Sequence, residues 1–205
     1  MQRICVLFCL LLLPLALPAG DSCVVKVHFL YGSKPKRAYR QMESDWFGGK
    51  LGGHVGIEAD SNRVLNFVPD GGFHYTAHKS DFRSRFVVDD HRTFWEIFGD
   101  SAENVKQLSI HIPISAAQKR AFDSLSKAYL ARTPYDYAFW GMRCGAAAYD
   151  ILAQLGVLEY YPPRKTFKKI FYPKKLRKRL LKQARNANWT LQTQSGTPRR
   201  KWERD

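Results

Sequence analysis

Around residue 115 the chain switches from the strand period to the helix period within a single residue, and this junction excludes an all-α or all-β chain. Leu108, Ile110, Ile112 and Ile114 alternate with Ser109, His111 and Pro113, the pattern of a half-buried strand with an edge-tolerant proline. Ser115-Ala116-Ala117-Gln118 follows at once and has the residues of a capping box, so a helix is expected to run from there to about Arg132. Thr133-Pro134 stops it. With the short strands and helices that surround it, the expected fold is a single α+β domain.

The other elements fit that class. Val24 to Leu30 is rich in β-branched residues and reads as the first strand. His54 to Ala59 and Val64 to Val68 are two short strands around the turn-rich Asp60-Ser61-Asn62-Arg63. Phe86 to Val88 and Thr93 to Phe98 are further strand candidates, and Lys34 to Asp45 is open between helix and loop. Gly48-Gly49-Lys50-Leu51-Gly52-Gly53 lacks the P-loop order and reads as a flexible approach to His54. From about Arg143, Ala147, Ala148, Ile151, Leu152 and Leu155 recur at helical spacing, with Gly156 as the stop. A last helix is expected near Pro173, carrying the stripe Leu176, Leu180, Ala184. Residues 186–205 read as a polar, poorly ordered tail. No internal repeat is visible.

Residues 1–20 read as an export signal: Arg3, the apolar run Ile4 to Leu13, then Pro14 and Pro18-Ala19-Gly20. The run is short for a membrane span and prolines interrupt it. Residues 21–185 then form one domain, of a size that buries a real core. Cys5 and Cys9 leave with the signal. For Cys23 three readings stay open: a disulfide with Cys144, an inert thiol, or a lipid anchor, the last disfavoured because Gly20-Asp21-Ser22 lacks the bacterial lipoprotein pattern. The expected location is periplasmic or secreted.

The stretch with most chemistry is His54-Val55-Gly56-Ile57-Glu58, with Asn66 twelve residues after the histidine. If Ala59 pairs with Arg63 around a three-residue loop, Gly56 faces Asn66 and His54 lies diagonal to Asn66 on the same side of the sheet. An asparagine there can fix the ring and tautomer of the histidine. A two-residue turn puts Asn66 on the wrong face, so the idea depends on the odd loop. Cys144 opens the apolar helix, where the macrodipole and free N–H groups favour a thiolate and can hold an oxyanion. His54 as partner completes the ion pair that activates such thiols. A lone exported cysteine or strand histidine is more often structural; their joint appearance with Asn66 favours catalysis.

His54-Val55-Gly56-Ile57, the turn and Asn66 resemble the histidine hairpin of NlpC-type papain-like amidohydrolases, and Arg143-Cys144 leading into the Ala148 to Gly156 region resembles their cysteine helix. The order His54, Asn66, Cys144 is similar to the circularly permuted branch, which includes lecithin-retinol-acyltransferase-like proteins. The likeness spans roughly Leu51 to Leu181. It implies a papain-like core, a small antiparallel sheet against the cysteine helix, and thiol attack on an amide, ester or thioester through an acyl-enzyme. Two departures stand out: Asn66 where relatives often have His or Glu, and the small Gly145 after the nucleophile.

Glu58 shares the His54 face and is the rival third member. Tyr135 and Tyr137 are accessory candidates at an oxyanion, or core aromatics. His74 and His78, four apart, suit a metal only on a helix, which Gly71-Gly72 opposes; no cysteine or carboxylate completes a ligand set, so no metal or cofactor is assigned. Arg164 to Arg185 holds eleven Lys or Arg and no acidic residue, which suits an anionic lipid or wall polymer; nucleic acid is not expected. The expected function is an exported thiol hydrolase cleaving an amide, with a cell-wall peptide bond as the leading substrate. The alternatives are acyl transfer or ester hydrolysis on lipid or lipoprotein, and a non-catalytic envelope-binding protein using its basic face.

Overall fold

The computed structural model describes residues 23–43, 45–48, 52–58 and 62–205. The expected export signal, residues 49–51 of the glycine-rich stretch and residues 59–61 of the hairpin turn lie outside them. The fold is α+β. In chain order the strands are β1 (Cys23–Leu30), β2 (Ser33–Pro35), β3 (His54–Glu58), β4 (Arg63–Pro69), β5 (His74–Thr76), β6 (Ser84–Asp90), β7 (Gln107–Ile114), β8 (Ala138–Trp140), β9 (Thr190–Gln194) and β10 (Arg200–Trp202). The helices are α1 (His91–Trp95), α2 (Ala116–Ala131), α3 (Cys144–Gln154), α4 (Pro163–Lys169) and α5 (Pro173–Ala187). Six strands form one antiparallel sheet in the order β6-β4-β3-β1-β7-β9.

The alternating apolar residues of β1, β3, β4 and β7 form one core with α3 and α5: Val27, Phe29, Val55, Ile57, Phe67 and Ile110 meet Ala147, Ile151, Leu152, Leu176 and Leu180. Residues 144–153 of α3 are buried on every side, which explains a helix made of small and aliphatic residues all round. A second, smaller cluster of Leu30, Phe47, Val64, Phe94, Trp95 and Val105 covers α1. The capping box at α2 is present as expected: Gln118 N–H donates to Ser115 Oγ at 3.2 Å, and Ser115 N–H to Gln118 Oε1 at 2.8 Å.

Three expectations need correction. Thr93–Phe98 is not a strand; α1 forms there because the Asp90 carboxylate caps it, accepting from Thr93 N–H at 2.7 Å. The Cys23–Cys144 disulfide falls, since both are free thiols. Residues 186–205 are not a loose tail: β9 adds an edge to the main sheet along Gln107 to His111, and β10 pairs with β2. The β9 strand stops short of Pro113, which therefore keeps an uncovered edge.

The hairpin of β3 and β4 has the odd-loop register, with Gly56 opposite Asn66 and Ile57 opposite Leu65. Gly56 is packed rather than spacious: a Cβ there meets Val64 Cγ1 at 2.4 Å and Phe94 Cε2 at 2.7 Å. Gly56→Ala is expected to destabilise the protein by about 1–3 kcal/mol through overpacking, read as a lower urea midpoint at unchanged slope. An unchanged midpoint would show that α1 yields freely.

Candidate active site

His54 opens β3 and Cys144 opens α3, so each stands at the end of its element. Gly53 sets the first of these ends. Its φ is +73°, and a Cβ on it would lie 1.8 Å from Leu30 O, so the chain enters β3 hard against β1. Gly145 sets the second, because a Cβ there would lie 3.0 Å from Pro173 N and press on the start of α5. The small residue after Cys144 is thus explained by packing.

His54 is 5% exposed, and its Nε2 lies 2.9 Å from Asn66 Oδ1. The amide of Asn66 has a fixed orientation: Nδ2 donates to Asp89 Oδ2 at 2.9 Å and to Val64 O at 3.3 Å. Oδ1 must then accept from His54 Nε2–H, and Nδ1 is left with its lone pair for the thiol. Asp89 is a fourth member that sequence reading missed. It comes from β6, where it pairs across from Val64, and only the strand register reveals it.

Electrostatics tie the imidazole to the sulfur. Burial disfavours a charged His54, but the neighbouring Cys144, the Asn66 carbonyl and the Asp89 carboxylate outweigh it and raise the pKa. Burial likewise opposes a Cys144 thiolate, yet His54, the Arg143 charge and the Tyr137 hydroxyl bring the thiol below its ordinary value. Both shifts favour a thiolate–imidazolium pair. Arg143, the N-cap of α3, is held in place over the Phe171 ring at 3.9 Å and by the Phe171 carbonyl.

The two tyrosines separate cleanly. Burial and the adjacent thiolate push the Tyr137 hydroxyl well up, so it stays a donor, and it interacts with both the Cys144 sulfur and the Cys144 N–H. The Tyr137 O–H and the Cys144 N–H are therefore the two donors beside the sulfur, placed where an oxyanion could be held. Tyr135 belongs instead to an aromatic cluster with Phe67, Phe86 and Tyr129, and its buried hydroxyl has no hydrogen-bond partner. Glu58 is excluded as third member. Lys26 Nζ donates to its Oε1 at 2.9 Å, His28 Nε2 lies 2.9 Å from its Oε2, and His91 contacts the same oxygen. Against the opposing effect of burial, these donors hold its carboxyl well below the usual range.

No protein-family model, curated protein or solved structure matches this chain.

Beside Arg143 lies a cavity of about 540 Å³ lined by Trp140, Phe167, Lys168, Phe171, Tyr172 and Lys175. The basic segment 164–185 is divided in its roles. Leu176, Leu180 and Ala184 dock α5 on the core as expected, and eight of the eleven bases are exposed. Arg177 is the exception: fully buried, it donates to Asp205 at 2.5 Å and Glu203 at 3.3 Å and stacks on Tyr31.

Proposed function

We propose that this chain is an exported thiol hydrolase that cleaves an amide bond through an acyl-enzyme on Cys144. The observation that carries the reading is the pairing of a thiol depressed below its ordinary pKa, at the start of a buried helix, with a histidine oriented by Asn66 and Asp89. In this mechanism Cys144 Sγ attacks the carbonyl carbon while Tyr137 O–H and the Cys144 N–H bear the oxyanion. His54, holding the thiol proton, passes it to the leaving amine as the C–N bond breaks. His54 then takes a proton from water, the hydroxide attacks the thioester, and the acid leaves as the thiol is restored. Cell-wall peptide is the leading substrate, and the exposed bases of α4 and α5 support docking on an anionic envelope surface.

A second reading, hydrolysis or transfer of a fatty acyl group, is favoured by the aromatic cavity beside Arg143, which suits an acyl chain.

Mass spectrometry after rapid quenching tests both. With p-nitrophenyl esters, Cys144 is expected to carry the acyl mass during turnover, and the Cys144→Ala protein none. Falling KM with chain length from acetyl to decanoyl supports the acyl reading, and flat KM the amide one. Turnover with no adduct on Cys144, or none at all with esters and peptides, rejects the proposal.

A further inference from the structure

Among the described residues, two groups of histidine and acidic side chains bring their ligand atoms within 4.8 Å of one another: His28 with Glu58 and His91, and His74 with His78 and Asp81. They differ in what they leave unmet. In the first, Glu58 already accepts from Lys26 and faces both imidazoles, and Ser109 Oγ lies 2.7 Å from His28 Nδ1. A cation there would sit beside the Lys26 ammonium.

The second is different. His74 is 9% exposed, and its Nδ1 lies 2.6 Å from Oδ2 of the buried Asp136. A carboxylate at Nδ1 sets the proton there and turns the lone pair to Nε2. That Nε2 is buried and has no hydrogen-bond partner. It faces Asp81 Oδ2 at 3.8 Å, and the same carboxylate oxygen lies 3.9 Å from His78 Nδ1. A buried acceptor without a donor is costly. An imidazole backed by a carboxylate, with its free lone pair directed at a second imidazole and an exposed acid, is the arrangement that orients histidine on a metal.

We propose that His74, His78 and Asp81 bind one divalent transition-metal ion of the zinc class, with Asp136 orienting His74. Two imidazoles and one carboxylate suit such an ion, and the exposure of His78 and Asp81, 46% and 70%, leaves further positions for water. Metal–ligand distances of about 2.0–2.1 Å bring tetrahedral neighbours to about 3.4 Å, so Asp81 closes by a few tenths of an ångström. The rings of His74 and His78 stack at 3.6 Å and 5°, so His78 must turn on its own torsions to bring Nδ1 to the ion. It is free to do so on an exposed segment.

Asp136 also accepts from His78 N–H and Arg83 N–H, each at 2.9 Å, and so fastens that segment to the chain just ahead of β8. His74 N–H donates to Tyr137 O at 3.3 Å. The ion thus locks the segment that abuts Tyr137, and its binding is independent of any activity at Cys144.

Titration of the chain with Co²⁺ and Zn²⁺, followed by calorimetry and absorption, tests this. One equivalent is expected, with d–d bands and no thiolate charge-transfer band. His74→Ala and the surface variant Asp81→Asn should each weaken binding at least 100-fold, and Asp136→Asn by about 10–100-fold. His91→Ala should leave it unchanged. No stoichiometric uptake, uptake indifferent to Asp81→Asn and His74→Ala, loss in His91→Ala, or a thiolate band marking Cys144 as the ligand, would each overturn the proposal.

Discussion

Replacing His54 with alanine is expected to lower hydrolysis by roughly 10²–10⁴-fold, the range that one general acid–base group supplies. The loss has two sources. The proton taken from the thiol no longer has an acceptor, and the chief charge partner holding the Cys144 thiol down is gone. Burial and Arg143 remain at the sulfur and act in opposite directions, with burial the larger. The thiol of His54→Ala should therefore be ordinary or sluggish. Asn66→Ala is the milder control: the imidazole stays, but its tautomer and orientation are released. Far-UV circular dichroism and a thermal scan on each variant separate lost chemistry from lost fold. Hydrolysis retained within a few-fold in His54→Ala would remove the histidine from the mechanism.

Ending the chain after Ala187 is expected to abolish cooperative folding. The deletion strips β9 from the main sheet and β10 from β2, and takes Trp202 away from Phe47. It also strands Arg177, whose guanidinium is fully buried and meets Glu203 and Asp205. Breaking a buried pair from one side costs about 3–5 kcal/mol, a large share of the roughly 5–15 kcal/mol that holds a domain together. Adding Arg177→Met to the truncated chain should recover part of the loss, because the uncompensated charge is then removed. Thermal unfolding and soluble yield read the outcome. A truncated protein with the melting temperature of the full chain would contradict the ordered role of residues 190–202.

These two expectations mark where the sequence speaks and where it is silent. The register of β3 and β4 follows from local spacing: three turn residues, a two-residue side-chain period, and Asn66 on the side of His54. Cys144 could be placed because the apolar stripe of α3 begins at it. Asp89 could not, since a carboxylate on β6 becomes a partner of Asn66 only through a strand pairing made 23 residues away. Asp136 was hidden for the same reason, whereas Asp81 stands only three residues after His78 and was overlooked as a ligand. His74 and Asp136 are 62 residues apart and meet because β5 runs parallel to β8. Glu58 is the converse case. It shares a strand face with His54, but Lys26 and His28 of β1 and His91 of α1 claim both of its oxygens.

Local propensity misled in two places. Thr93 to Phe98 holds residues that favour strands, but the Asp90 carboxylate on Thr93 N–H starts a helix. Thr190 to Gln194 is polar apart from Leu191, and an edge strand whose residues are mostly exposed needs no apolar face to declare it. Its place is secured by the backbone ladder to β7 and by the acidic residues that follow, which neutralise Arg177. The run of bases from Arg164 to Arg185 is likewise not uniform, because helical spacing turns Arg177 inward beside Leu176 and Leu180.

The Cys144 sulfur and the His54 imidazole are expected to share a single proton, and the pH dependence of Cys144 alkylation by iodoacetamide, read by mass spectrometry of the peptide, examines that directly. The rate should rise with a midpoint clearly below the ordinary thiol value of about 8.5 and then hold level, with the midpoint in His54→Ala moving to that value or above. A single rise at or above the ordinary value, identical in both proteins, would contradict it.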